Sequence, residues 1–149
     1  FTAVTPSRLV DTRSGRQVAG SSWLTVPVHG AAVTIAGAAT TVPTTATAAV
    51  INVVVTDPDD AGFVTVWPCA GDVPLAANLV YLSGDTRGNG VIAPIGPDGS
   101  ICVYSLSSAD IIVDISGWLS GPTPGSGGFT GAVPNRFVDT RFAIGPLPV

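Results

Sequence analysis

Residues 48–56 read AAVINVVVT, and residues 111–115 read IIVDI. Both runs are dominated by β-branched side chains, which favour strands over helices. Because the first run is almost entirely apolar, we expect it to form a central strand that is covered on both faces. The second run predicts another central strand.

Further strand-like segments flank these two runs and are separated by turns rich in glycine, proline and aspartate. In the segment 63–67, alternation predicts that Phe63, Thr65 and Trp67 share one face and that Val64 and Val66 share the other. About nine short strands at this spacing predict an all-β fold, an antiparallel β-sandwich or jelly roll with negligible helix. The predicted strands span residues 8–12, 24–28, 33–35, 48–56, 63–67, 78–82, 91–95, 101–106 and 111–119.

The composition of the 149-residue chain supports this fold class. Lysine, glutamate and methionine are absent and Gln17 is the only glutamine, so most strong helix formers are missing. A net charge of −4 leaves no basic surface for nucleic acid. The apolar stretch 31–55 is not expected to span a membrane, because Pro43 and the threonines around it interrupt it.

A short segment occurs twice along the chain. Residues 1–13 read FTAVTPSRLVDTR and residues 129–141 read FTGAVPNRFVDTR, with eight identities in thirteen gap-free positions. Residues 120–128 between them are a linker by composition, rich in glycine, proline and serine. We therefore expect a repeat module at 1–119 and the start of a second copy at 129–149.

Cys69 and Cys102 are the only cysteines and would close a loop of 33 residues as a disulfide. In the chain-entropy model such a link stabilises a fold by about 3–4 kcal/mol. Together with the low charge, the pair predicts a disulfide in an extracellular or cell-surface protein. The alternative is a pair of buried free thiols.

No combination of residues in the sequence is typical of an active site. His29 is the only histidine, so a Ser-His-Asp triad would have to use it and a site with two histidine ligands is excluded. The spacing of the cysteines does not match a C-x-x-C redox or zinc motif. We therefore expect no enzymatic activity and no cofactor.

The turn at Asp57, Asp59 and Asp60 is a weak calcium candidate, because calcium binds clusters of oxygen ligands. The alternative is a turn in which these side chains bond to their own backbone.

The repeated charges are Arg8, Asp11 and Arg13 in the first copy and Arg136, Asp139 and Arg141 in the second. We predict a structural role, in which arginine clamps aspartate through bidentate hydrogen bonds at a sheet edge. Asp110 or Asp114 is a candidate further partner. The alternative is that the arginines capture an acidic ligand.

Aromatic residues supply the candidate contacts to a glycan, because exposed rings can pack against sugars. The same residues also fill cores and cap sandwich ends, and Trp23, after two serines, is the best candidate for exposure. The full candidate set is Trp23, Trp67, Tyr81, Tyr104 and Trp118.

Four separated motifs resemble a repeat module of large secreted actinobacterial proteins. They are the opening Pro6–Arg13, the strand-like Ala49–Pro58, the segment Gly62–Cys69 and the closing Val113–Trp118. The chain departs from the module's pattern in INVVVTDP, where a threonine is usual after the NV, and in the diverged residues 142–149. The resemblance implies a module that is appended to surface proteins and secreted hydrolases, with no known catalytic role.

We therefore expect a non-catalytic extracellular module with a structural or display role in a surface stalk, fibre or appendage. Residues 129–149 are expected to dock by strand addition, either onto their own domain or onto a neighbouring copy in a head-to-tail assembly. The alternative function is a carbohydrate-binding module whose partner is a cell-surface polysaccharide. No nucleic-acid partner is expected.

Overall fold

A computed structural model describes residues 1–121, 129–142 and 144 of the chain. It has ten β-strands and one short 3-10 turn, Thr12–Ser14, and these residues include no α-helix and hence no helix that could cross a membrane. The all-β prediction is confirmed, with ten strands in place of about nine. The strands are β1 (Thr2–Asp11), β2 (Ser22–Pro27), β3 (Ala32–Ile35), β4 (Ala38–Thr41), β5 (Ala46–Thr56), β6 (Gly62–Trp67), β7 (Leu79–Tyr81), β8 (Thr86–Pro94), β9 (Ser100–Ser105) and β10 (Asp110–Ser120).

The strands form two antiparallel sheets that pack face to face, which confirms the predicted sandwich. The larger sheet has the order β4-β3-β1-β10-β5-β8, and the smaller has the order β2-β9-β6-β7. Apolar side chains from the inner faces of both sheets form one core.

The two sequence runs that predicted central strands pair with each other as β5 and β10. Val53 lies opposite Val113, and the ladder extends to Thr56 opposite Asp110. The inner side chains of β5 are buried, but the outer ones, such as Val50 and Val54, are only partly buried. The expectation that β5 is covered on both faces is therefore wrong, because a two-layer sandwich covers one face of each sheet.

Strand β4 was not predicted. Its four residues are small or polar and all are exposed, so it lacks the alternation that identifies a half-buried strand. It exists because a two-residue turn at Ala36 and Gly37, with φ of 47° and 85°, folds it back onto β3. Positive φ at both central residues is the geometry of a type I′ hairpin.

The first half of β8 was predicted as a turn, because residues 86–90 read TRGNG. In the structure these residues pair with β5, with Arg87 opposite Val55 and Gly90 opposite Asn52. The strand is therefore specified by the backbone groups of its neighbour rather than by its own side chains.

Strand β6 confirms the predicted alternation. Val64 and Val66 point into the core, whereas Thr65 and Trp67 lie on the outer face and are nevertheless buried. The segment 68–78 contributes to this cover: Thr65 Oγ1 donates to the carbonyl of Ala76, and the backbone N–H of Val66 donates to Asn78 Oδ1 at 2.8 Å. The predicted Cys69–Cys102 disulfide is confirmed and ties this segment to β9.

Two glycines provide a matched test of the backbone packing. A Cβ at Gly96 would clash with the backbone carbonyl oxygen of Pro68, whereas a Cβ at Gly90 would have no atom within 4 Å. We expect Gly96→Ala to lower the free energy of unfolding by about 2–3 kcal/mol, because backbone has to move. Gly90→Ala should leave it unchanged or slightly raise it. Urea denaturation measures both, and equal effects would contradict this packing.

Candidate functional site

The repeated charges of the first copy form a compact cluster at the end of β1. Asp11 accepts hydrogen bonds from Arg8 and from Arg13, whose Nε and Nη2 lie 2.9 and 2.6 Å from the two carboxylate oxygens. The backbone N–H of Arg13 also donates to Asp11 Oδ1, at 3.2 Å, because the 3-10 turn after Asp11 brings Arg13 back over the carboxylate. The bidentate Arg13–Asp11 pair is thus fixed by local backbone geometry.

This cluster also clamps β1 to β10. Arg8 Nε donates to Asp114, which is its cross-strand partner in the ladder. Thr12 Oγ1 donates to Asp110 Oδ1 at 2.8 Å and accepts from the backbone N–H of Ile111 at 2.9 Å. Arginine, aspartate and threonine of the motif therefore each have a defined structural partner.

The second copy forms the same cluster. Asp139 accepts from Arg136 Nη1 at 2.7 Å and from Arg141 through Nε at 3.0 Å, Nη2 at 2.8 Å and the backbone N–H at 3.0 Å. Asp139 is buried, although the segment around it lies outside the two sheets. The motif R-x-x-D-x-R thus forms its hydrogen bonds locally, without β-pairing to either sheet.

The second copy differs from β1 in what surrounds it. Within the described part of residues 129–144, the only β-bridge joins Asp139 to Ile144, so strand addition onto the chain's own sheets is not seen there. Leu9 and Val10 pack against the core, but their counterparts Phe137 and Val138 are 80% and 55% exposed. Residues 145–149 lie outside the described residues. The second copy thus exposes two apolar side chains whose counterparts in β1 pack against the core.

The arginines change the acidity of both aspartates. Hydrogen bonds from Arg13 lower the pKa of Asp11 to about 2. Hydrogen bonds from Arg141 lower the pKa of Asp139 to about 2 in the same way. Both carboxylates are therefore charged throughout the neutral and mildly acidic range.

A second candidate site lies on the outer face of the smaller sheet, where Trp23 and Trp67 meet. Their ring centroids are 6.1 Å apart with an interplanar angle of 70°. Trp23 is 56% exposed, whereas Trp67 is buried and its Nε1–H has no partner among the described residues. We call the adjoining cleft, of about 170 Å³, the aromatic cleft. It is lined by Trp23, Trp67, Cys69, Gly71, Asp72, Val73 and Cys102.

Sequence reasoning missed Asp72 and the cystine as parts of this cleft. Neither carries a local signal, because Asp72 reaches the tryptophans through the loop that the disulfide fastens to β9, and Cys102 reaches Trp67 through strand pairing. The position of Cys69 two residues after Trp67 was the one available hint.

An apolar groove of about 890 Å³ lies on the same face. Phe63 and Tyr104 pack there at 5.8 Å, so Tyr104 is a partly buried member of this surface. Arg136 and Arg141 of the second copy also line the groove. Val73 lines both the groove and the aromatic cleft, so the two surfaces are contiguous.

Two of the aromatic glycan candidates lie in the core. Tyr81 is buried, and its hydroxyl bonds to Ser105 Oγ at 2.8 Å and accepts from the backbone N–H of Ser107 at 3.0 Å. Trp118 is also buried among apolar side chains. Neither side chain is available to a surface ligand, which leaves Trp23, with Trp67 beside it, as the main aromatic candidate.

The acidic turn is held by its backbone N–H groups, which donate to the carbonyls of Asp85 and Ser108 and to Ser107 Oγ. In the part of the chain that the structure describes, no group of three potential metal ligands occurs, so the structure gathers no such group from Asp57, Asp59 and Asp60.

Comparison with known proteins found no matching family model, curated protein or solved structure. Function therefore has to be inferred from the charge cluster, the second copy and the aromatic cleft.

The lowered pKa of Asp11 predicts a pH dependence of stability. A carboxylate whose folded pKa lies below its unfolded value near 3.9 stabilises the fold above that value. The contribution is lost as the pH falls through about 2. Asp11→Asn should therefore destabilise the protein at pH 7, and the difference from wild type in urea denaturation should shrink between about pH 4 and pH 2.

Asp139→Asn is the matched control for that experiment. Asp139 has the corresponding partners, Arg136 and Arg141, and a pKa lowered to about 2, but its segment pairs with neither sheet. The free energy of global unfolding should therefore be unchanged by this substitution. If the difference in free energy of unfolding between wild type and Asp11→Asn did not change with pH, the stabilising role assigned to the Asp11 charge would be contradicted.

Proposed function

We propose that this chain is a non-catalytic extracellular repeat module with a structural or display role at the cell surface. Neighbouring copies assemble head-to-tail through residues 129–141. The observation that carries the proposal is the second copy itself, which keeps the clamp residues of β1 and exposes the apolar residues that β1 packs against the core.

The second copy contains each side chain through which β1 holds β10. Arg136 corresponds to Arg8, which bonds to Asp114, and Thr140 corresponds to Thr12, which bonds to Asp110 and the backbone of Ile111. The charge cluster is already formed, so little ordering of its arginines is needed on docking. The matching acceptor is therefore the edge of a β10 strand.

In each copy that edge is covered by the chain's own β1, so docking in trans requires an exchange of strands. The exchange replaces a segment with a similar one, which is the low-cost route to association known as domain swapping. Each chain has one donor segment and one acceptor edge. The contact is therefore heterologous, and it produces an open, head-to-tail chain of copies when its rotation does not close into a ring.

Two further observations favour this role. The Cys69–Cys102 disulfide suits an oxidising compartment such as the cell exterior. His29 is engaged in the fold, because its Nε2 donates to the carbonyl of Ala46 at 2.9 Å, which suits a structural role better than a catalytic one. The resemblance to surface-protein repeats points in the same direction.

Charge reversal at the acceptor edge tests the assembly. The double variant Arg8→Asp with Asp114→Arg keeps an opposite-charge pair between β1 and β10 of the same chain, but its positive charge at position 114 repels Arg136 of a neighbouring copy. The association constant should therefore fall about fivefold or more. The double variant Asp114→Arg with Arg136→Asp has the opposite preference, because its positive charge at position 114 repels Arg8 of the same chain and attracts the negative charge at position 136 of a neighbouring copy. The association constant should therefore rise by a similar factor. Sedimentation velocity over a concentration series measures both.

These two double variants are matched, because each removes an arginine that also contacts the aspartate of its own cluster. Arg136→Asp alone should weaken association without changing the melting temperature. A wild-type protein that stays monomeric at high concentration, or an association that is the same in both double variants, would overturn the assembly.

A further inference from the structure

The aromatic cleft has the composition of a ligand site rather than of an ordinary surface. Trp23 is 56% exposed, and single exposed apolar side chains are common on proteins. What distinguishes Trp23 is its position against a second indole ring, a cystine and a carboxylate in one concave surface. Concave, mostly apolar surfaces with a few polar groups are typical of ligand sites.

The walls of the cleft are held rigidly. Trp23 lies in β2 directly opposite Tyr104 of β9, and Trp67 ends β6 opposite Cys102. The Cys69–Cys102 disulfide fastens the loop that carries Asp72 to the same strand. A preformed site loses little conformational entropy when a ligand binds.

The charged group of the cleft is the carboxylate of Asp72, which is exposed and can accept hydrogen bonds. The Nε1–H of Trp67 is buried and is not itself a surface of the cleft. A ligand with hydroxyl groups can donate to the Asp72 carboxylate, whereas a purely apolar ligand cannot.

We propose that the aromatic cleft binds one neutral pyranose ring of a polysaccharide, with an apolar face of the sugar against Trp23. A sugar ring has C–H faces that pack on an indole and hydroxyl edges that bond to polar groups. An anionic ligand is disfavoured by Asp72 and by the net charge of −4. This binding adds a function to the structural role.

The size of the cleft supports a single ring. Its volume of about 170 Å³ is below the range of about 300–1,000 Å³ that is usual for sites of drug-sized ligands. The rest of a polysaccharide has a path beyond the cleft, because Val73 also borders the apolar groove that contains Tyr104. An oligosaccharide should therefore bind more tightly than a monosaccharide.

The test uses the full chain and a panel of neutral hexasaccharides with β-1,4-glucose, β-1,3-glucose and β-1,4-N-acetylglucosamine linkages. At least one should bind saturably in calorimetry, with a dissociation constant below about 1 mM. Trp23→Ala should weaken that binding by at least about tenfold, and Trp23→Phe should weaken it less because a ring remains. Both variants should remain folded at 25 °C, since Trp23 is half exposed, and circular dichroism checks this.

Ile92→Ala is the matched control, because Ile92 is 51% exposed and lines neither the cleft nor the groove. It should change the affinity by less than about twofold. A tryptophan pair beside a carboxylate is also a chemistry that holds quaternary ammonium ions. Tetramethylammonium is therefore titrated into the wild-type protein and into Asp72→Asn, which lacks the carboxylate. Binding of that cation without any sugar, no saturable sugar binding, or equal binding by Trp23→Ala would overturn the proposal.

Discussion

The pairing of β5 with β10 is the interaction on which the rest of the structure depends. Both strands have eleven residues, and they lie side by side in the larger sheet with β1 and β8 on their flanks. Their inner side chains, including Val53, Val113 and Ile115, are almost completely buried against the smaller sheet. Because burial of apolar surface is the dominant favourable term in folding, the other strands are arranged around this pair.

The edge of β10 explains why the repeated motif is charged in a chain with so few charges. Arg8 and Thr12 meet Asp114 and Asp110 there, so the motif fixes the position of β1 with directional bonds rather than with apolar contacts alone. The second copy shows that the Arg–Asp–Arg part of this arrangement is local, since it forms without any sheet. Only the contacts to a β10 edge distinguish a docked copy from a free one.

The two sheets have different outer faces. The larger sheet shows partly buried aliphatic residues and the charge cluster. The smaller sheet carries Trp23, Trp67 and Tyr104, and the segment 68–78 contributes to the cover of its centre. The disulfide holds that segment in place, so one covalent bond both stabilises the fold and shapes the surface that a ligand would meet.

The sequence by itself determined the fold class, the alternation of β6 and the Arg–Asp–Arg residues of the charge cluster. These features follow from composition, from the period of two along a strand and from contacts between residues close in the chain. The two cysteines predicted a disulfide, but only the fold brings residues separated by 33 positions within bonding distance. Only the tertiary structure decided that β4 and the start of β8 are strands, because neighbouring backbones supply their hydrogen bonds. It also decided that Tyr81 and Trp118 are buried while Trp23 is exposed beside Asp72. An aromatic side chain has the same composition in a core and on a surface, so its role depends on which distant residues the sheets bring against it.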